Sequence, residues 1–87
     1  MRLLTLSNIT RNDSPIHYRR TFQAAARFDV PGNDTAEVSV EFVLESLPTG
    51  ETSVTARFVE HPPFPTVPAL RLLKRHISEL NRAGRLP

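Results

Sequence analysis

Arginine is the residue of this chain whose type and spacing could do chemistry. Ten of the eleven basic residues are arginine, and a planar guanidinium binds carboxylates and phosphates through paired hydrogen bonds. On a helical projection of residues 67–83, several basic side chains fall on the side opposite Leu73 and Leu80. Facing solvent, this face could contact the phosphates of a nucleic acid. Its members are Arg71, Arg75, Ser78, Arg82 and Arg85, with Lys74 beside them.

A second basic group is the run Tyr18, Arg19 and Arg20. An exposed tyrosine can stack on a base, so this run is a second candidate contact. The alternative interpretation of both groups is solvation, because a helix that packs by one face must carry charge on the other. The helix face also lacks the interleaved aromatic residues that stack on bases.

Catalytic and metal-binding residue types are present without a supporting pattern. Residues 13–17 hold an Asp, a Ser and a His, but nucleophilic triads are assembled from distant parts of a fold, and this segment has turn chemistry. His76 and Glu79 would form half of a carboxylate metal site on a helix, with no second half in the chain. We therefore expect no catalytic residue, no metal ligand and no cofactor.

Alternation of apolar and polar residues predicts four strands. Residues 36–46, AEVSVEFVLES, give the strongest signal, because apolar side chains take every second position and glutamates lie between them. Residues 52–60 repeat the pattern after the turn sequence LPTGE. Residues 16–30 are predicted as a strand ending at a PGND turn, although their alanines make a helix the alternative. Residues 2–10 are a further predicted strand with apolar residues on both faces.

Charge tests the pairing of these strands. A hairpin around Gly32 would pair residues whose numbers sum to 64, and the next hairpin would pair residues summing to 98. Each acidic residue of the middle strand then faces a polar or basic residue, and such pairs contribute about 0.2–1 kcal/mol. Arg20 falls on the inward face in this register, which predicts a bulge there or exposure at the end of the sheet. The predicted pairs are Arg27–Glu37, Gln23–Glu41, Arg19–Glu45, Phe22–Phe42 and Glu41–Arg57.

The last predicted element is an amphipathic helix over residues 67–83. Thr66 is the expected N-cap and Pro68 lies in the first turn, where its missing N–H costs nothing. Gly84 is the expected stop. The apolar stripe consists of Leu70, Leu73, Ile77 and Leu80.

The proline-rich residues 61–68 precede this helix. Prolines favour extended backbone, so we interpret the segment as a preset crossover from the sheet edge to the apolar face, with Phe64 filling the corner. The alternative is a PxxP ligand, which the spacing of Pro62, Pro65 and Pro68 formally matches. No basic residue lies close enough to fix the orientation of such a ligand.

The predicted fold class is therefore α+β: residues 1–87 form one domain, an antiparallel meander of about four strands with one C-terminal helix packed on the apolar face. This order of elements resembles that of Whirly, Pur-type and related single-strand-binding transcription cofactors, which often dimerise. The resemblance rests on inferred topology, and it implies single-stranded nucleic acid as a candidate ligand.

Composition narrows the function classes. With 39% hydrophobic and 23% charged residues and no cysteine, we expect a folded protein without disulfides. The first residues lack the continuous apolar region of a signal peptide, and no segment could span a bilayer, so a cytoplasmic protein is expected. The leading hypothesis is a small non-enzymatic binding protein with a protein partner or a second copy, as a homodimer. The alternative is single-stranded nucleic-acid binding through the basic helix face.

Overall fold

The protein is a four-stranded antiparallel sheet followed by one helix. A computed structural model describes residues 1–12, 18–32 and 35–87. The strands lie side by side in chain order, so the predicted α+β meander with a C-terminal helix is confirmed. The elements are β1 (Arg2–Asn12), β2 (Arg19–Asp29), β3 (Ala36–Ser46), β4 (Thr52–Phe58) and α1 (Thr66–Arg82).

The predicted pairing of β2, β3 and β4 is confirmed at every position the charge argument used. Arg27 lies opposite Glu37, and Glu41 lies opposite Arg57. On the inner face the rings of Phe22 and Phe42 stack with centroids 5.0 Å apart. Any slip by one residue would bury the charged set, so the alternation fixes the register.

An ionic ladder covers the outer face of the sheet. The shortest pairs, at 3.2 Å and 3.3 Å, join Arg57 to Glu41 and Arg2 to Asp29. These side chains are mostly solvated, so each pair contributes only about 0–1 kcal/mol. Their main effect is on register and on neutralising this face. The remaining pairs are Arg19–Glu45 at 3.6 Å and Arg27–Glu37 at 4.0 Å.

Two β-bulges explain why β1 has apolar residues that do not alternate. The register against β2 shifts between Leu3 and Thr5 and again between Ser7 and Thr10. Each bulge adds one residue, so side chains spaced by three instead of two can face inward. Asn8 takes the left-handed conformation, at φ 53°, within the second shift. The residues that consequently pack against the core are Leu3, Leu6 and Ile9.

The helix packs on the inner face through Ala69, Leu73 and Ile77, all fully buried. The prediction that Thr66 caps the helix is wrong. Pro65 is the N-cap, with extended backbone and no side-chain hydrogen bond. The reason is that Pro65 and Pro68 have no N–H, which removes two of the four donors that a helix start leaves unpaired.

The helix ends in a Schellman motif. The N–H of Arg85 donates to the carbonyl of Leu80 at 2.9 Å, and that of Gly84 donates to Asn81 at 3.1 Å. Gly84 has φ 68°, a conformation that glycine adopts without a Cβ penalty. The predicted stop is confirmed, and Arg85 is held just beyond the helix end.

The proline-rich segment forms the corner that the sequence predicted. Phe64 is 7% exposed, and its ring centroid lies 5.0 Å from Phe28 and 5.6 Å from Phe58. Pro62 is also buried. A segment whose side chains complete the core favours the crossover over the PxxP ligand.

Two boundaries differ from the prediction. β1 continues to Asn12, and β4 ends at Phe58, after which the N–H of Val59 still donates to the carbonyl of Ser39 at 3.0 Å. The predicted start of β2 at residues 16 and 17 lies outside the described residues. In the part of the chain that the structure describes, no helix has the length and apolar character needed to cross a membrane.

Candidate functional site

The solvent face of α1 carries the candidate contacts predicted from the helical projection. Burial of Ala69, Leu73 and Ile77 fixes the rotation of the helix, so the opposite side must point to solvent. All of its cations are exposed. We call this set the basic stripe: Arg71, Arg75, Arg82 and Arg85, with Lys74 beside them.

The basic stripe has no acidic partner in the described structure. The four ion pairs found among the described residues use Arg2, Arg19, Arg27 and Arg57, which all lie on the sheet. No carboxylate among these residues comes within 4.0 Å of a stripe nitrogen. The molecule therefore has a neutralised sheet face and an uncompensated basic helix face.

Arg20 connects the sheet to the end of this stripe. It lies opposite Leu44 on the inner face, and the β2–β3 register has no shift there, so the alternative of a bulge is wrong and Arg20 lies at the end of the sheet. Its guanidinium nitrogen Nη2 donates to Oδ1 of Asn81 at 2.9 Å, in a partly buried contact. One hydrogen bond thus joins β2 to the last turn of α1, next to Arg82.

Arg11 adds a further cation to this end of the inner face. It pairs with Phe22, which lies two residues from Arg20, so Arg11 and Arg20 are diagonal neighbours on the sheet. The side chain of Arg11 is exposed. Sequence reasoning missed Arg11 because the bulges hide which face of β1 it occupies.

Sequence reasoning also missed Asn81. A signal was present, because Asn81 follows buried Ile77 by four residues and so lies near the packed side of the helix. An inward arginine at the end of β2 needs such a partner. The two positions together predict the Arg20–Asn81 contact.

Tyr18 lies at the same end of the sheet. Its carbonyl accepts a hydrogen bond from Ser46 at 2.9 Å, which continues the pairing whose numbers sum to 64. Alternation therefore places Tyr18 on the same side as Arg20, and its side chain is 57% exposed. Arg19 is separated from them, since it points to the outer face and pairs with Glu45. We call Tyr18, Arg11, Arg20 and Asn81 the basic end.

Catalytic and metal chemistry gain no support from the described residues. No group of three or more His, Asp or Glu side chains that could hold a metal ion occurs among them. The Asp, Ser and His of residues 13–17 lie outside the described part of the chain. The site described above is a surface of guanidinium groups, an amide and a phenol ring, which suits binding.

Fold and site together define an α+β protein with a four-stranded antiparallel meander, one covering helix and a basic helix face. A family model described as the BB_0187 family matches residues 1–82. The chain belongs to this family. No curated protein and no solved structure is significantly similar to it, so the function proposed below rests on the site.

Proposed function

We propose that the protein is a non-enzymatic binding protein for single-stranded nucleic acid. The observation that carries the proposal is the 2.9 Å hydrogen bond between Arg20 and Asn81. This contact holds the basic end against the last turn of α1, so the exposed ring of Tyr18 and the basic stripe belong to one surface. Phosphates would lie along the stripe, and a base would stack on the ring.

The charges and the ring support a single strand over a duplex. Phosphate binding needs cations that are not already paired, and the stripe supplies them. Arg71 and Arg82 lie eleven residues apart, about 16 Å along the helix axis, which accommodates several nucleotides. Stacking on Tyr18 requires an exposed base face, which a duplex does not offer and an unpaired strand does.

The test is a fluorescence anisotropy titration of a labelled oligothymidylate at about 50 and about 200 mM salt, where phosphate-driven binding differs steeply. We expect micromolar or tighter binding at the lower salt concentration that weakens at the higher one. A duplex of equal length should bind more weakly. Absence of binding at the lower salt concentration would overturn the proposal.

A matched pair of variants separates the stripe from general basicity. Arg75→Gln/Arg82→Gln removes two stripe charges, whereas Arg27→Gln/Arg57→Gln removes two charges from the ionic ladder on the other face. The first variant should flatten the salt slope by about 1.4 and weaken binding about 25-fold at 0.1 M salt. The second should bind like the wild type. Equal losses in both variants would show that only net charge matters.

A second candidate function is self-association through the β4 edge. β1 is broken by two bulges, whereas β4 pairs with β3 without a shift and presents a regular free edge. Antiparallel pairing of two copies centred on Thr55 would set threonine against threonine and Arg57 against Ser53, with no like charges opposed. The result would be a homodimer with a continuous sheet.

Val54→Pro tests this second candidate. Because Val59 donates to Ser39, the N–H of Val54 points away from β3 in an antiparallel ladder, so proline there removes only an edge donor. If the wild type is a dimer by sedimentation equilibrium, the variant should be a monomer. A variant that remains fully dimeric, or a monomeric wild type, would exclude this edge as the interface.

A further inference from the structure

A groove between β1 and α1 continues the basic stripe on its other flank. It consists of two adjoining cavities of about 380 and 260 Å³ that share Leu72 and Arg75 in their lining. The apolar lining includes Met1 and Leu3 from the start of the chain and Pro68 from the first turn of the helix. Its floor is therefore apolar although its rim belongs to the stripe.

The rim charges of the groove favour an anion. Arg71 and Arg75 both line the larger cavity, and they lie one helical turn apart, about 6 Å along the axis. Arg2 lines the smaller cavity but is paired with Asp29. Glu79 and His76 lie only in the smaller cavity, so the larger cavity combines an apolar floor with two unpaired cations.

We propose that this groove holds one base of the bound strand, while the phosphates on either side of that base contact Arg71 and Arg75. The inference rests on the proposed function and extends it. Phosphate binding alone needs the arginines and gains nothing from an apolar floor. A nucleotide joins a flat, largely apolar ring to an anion, which is the combination that Leu72 and the two arginines match.

The experiment compares an oligothymidylate with an abasic oligonucleotide of the same length by anisotropy at low salt. The test variant is Leu72→Gln. The matched control is Leu70→Gln, because Leu70 is another half-buried leucine and lines a cavity beside β4 on the other side of the helix. Thermal unfolding of both variants, followed by circular dichroism, checks that their stabilities are similar.

We expect Leu72→Gln to weaken oligothymidylate binding roughly 5- to 10-fold through lost apolar contact and to leave the abasic strand unaffected. Leu70→Gln should change neither affinity. If both strands bind and Leu72→Gln changes neither affinity, the groove holds no base and the inference is wrong while the proposed function stands. If neither strand binds to the wild type, the proposed function itself fails.

Discussion

Phe64→Ala should lower the free energy of unfolding by about 3–5 kcal/mol. Phe64 is almost fully buried, and its ring lies against Phe28 and Phe58, so alanine would leave a cavity at the corner between sheet and helix. A chain of this length has a total stability of about 4–13 kcal/mol. The variant is therefore expected to lose most of its stability, as measured by urea unfolding followed by far-ultraviolet circular dichroism.

Two controls accompany this measurement. Phe64→Leu keeps most of the volume and should cost less than about 1.5 kcal/mol. Pro63→Ala changes the exposed neighbour and should stay within about 0.5 kcal/mol of the wild type. A loss below about 1 kcal/mol for Phe64→Ala would contradict the assignment of Phe64 to the core.

Tyr18→Ala should weaken binding of an oligothymidylate about 5- to 150-fold, the range expected when one base loses an aromatic stacking partner. The ring is more than half exposed, so its removal should leave the free energy of unfolding nearly unchanged. Anisotropy gives the affinity, and thermal unfolding gives the stability. The salt slope should stay constant, because no phosphate contact is removed.

Tyr18→Phe distinguishes stacking from hydrogen bonding at this position. Phenylalanine keeps the π face and loses only the hydroxyl, so its affinity should stay close to that of the wild type. An equal loss in both variants would assign the effect to the hydroxyl. Unchanged binding in Tyr18→Ala would remove the ring from the proposed surface.

The sheet could be predicted in detail because two independent patterns agree. Alternation in β3 sets its inner face, and the charges on the outer face then select one pairing with each neighbour. Arg27 facing Glu37 and Glu41 facing Arg57 follow from that register alone. The ladder pairs are weak energetically, yet they identify the register.

The inner face of β1 could not be predicted, because a bulge has no signature in hydrophobic alternation. Leu3, Leu6 and Ile9 recur at intervals of three, which neither the period of a strand nor that of a helix explains. Only pairing with a known β2 reveals the two extra residues. The N-cap was also missed, since the search for a side-chain acceptor at Thr66 ignored the donors that Pro65 and Pro68 lack.

The candidate site was predicted in part. The basic stripe follows from helical periodicity, and the position of Tyr18 follows from strand alternation. The contact that joins them depends on how far the helix extends over the sheet, which no local pattern reports. Arg20 and Asn81 are 61 residues apart, and only the packed structure brings them together.

The helix that contacts both edge strands, β1 and β4, also determines when the protein can finish folding. Each strand pairs with its neighbour in the chain, so the sheet can assemble as a nascent polypeptide leaves the ribosome. Its aromatic face, including Phe22 and Phe42, has no cover until α1 has been synthesised behind all four strands. A stalled or truncated chain would expose that face to chaperones and to other unfinished chains.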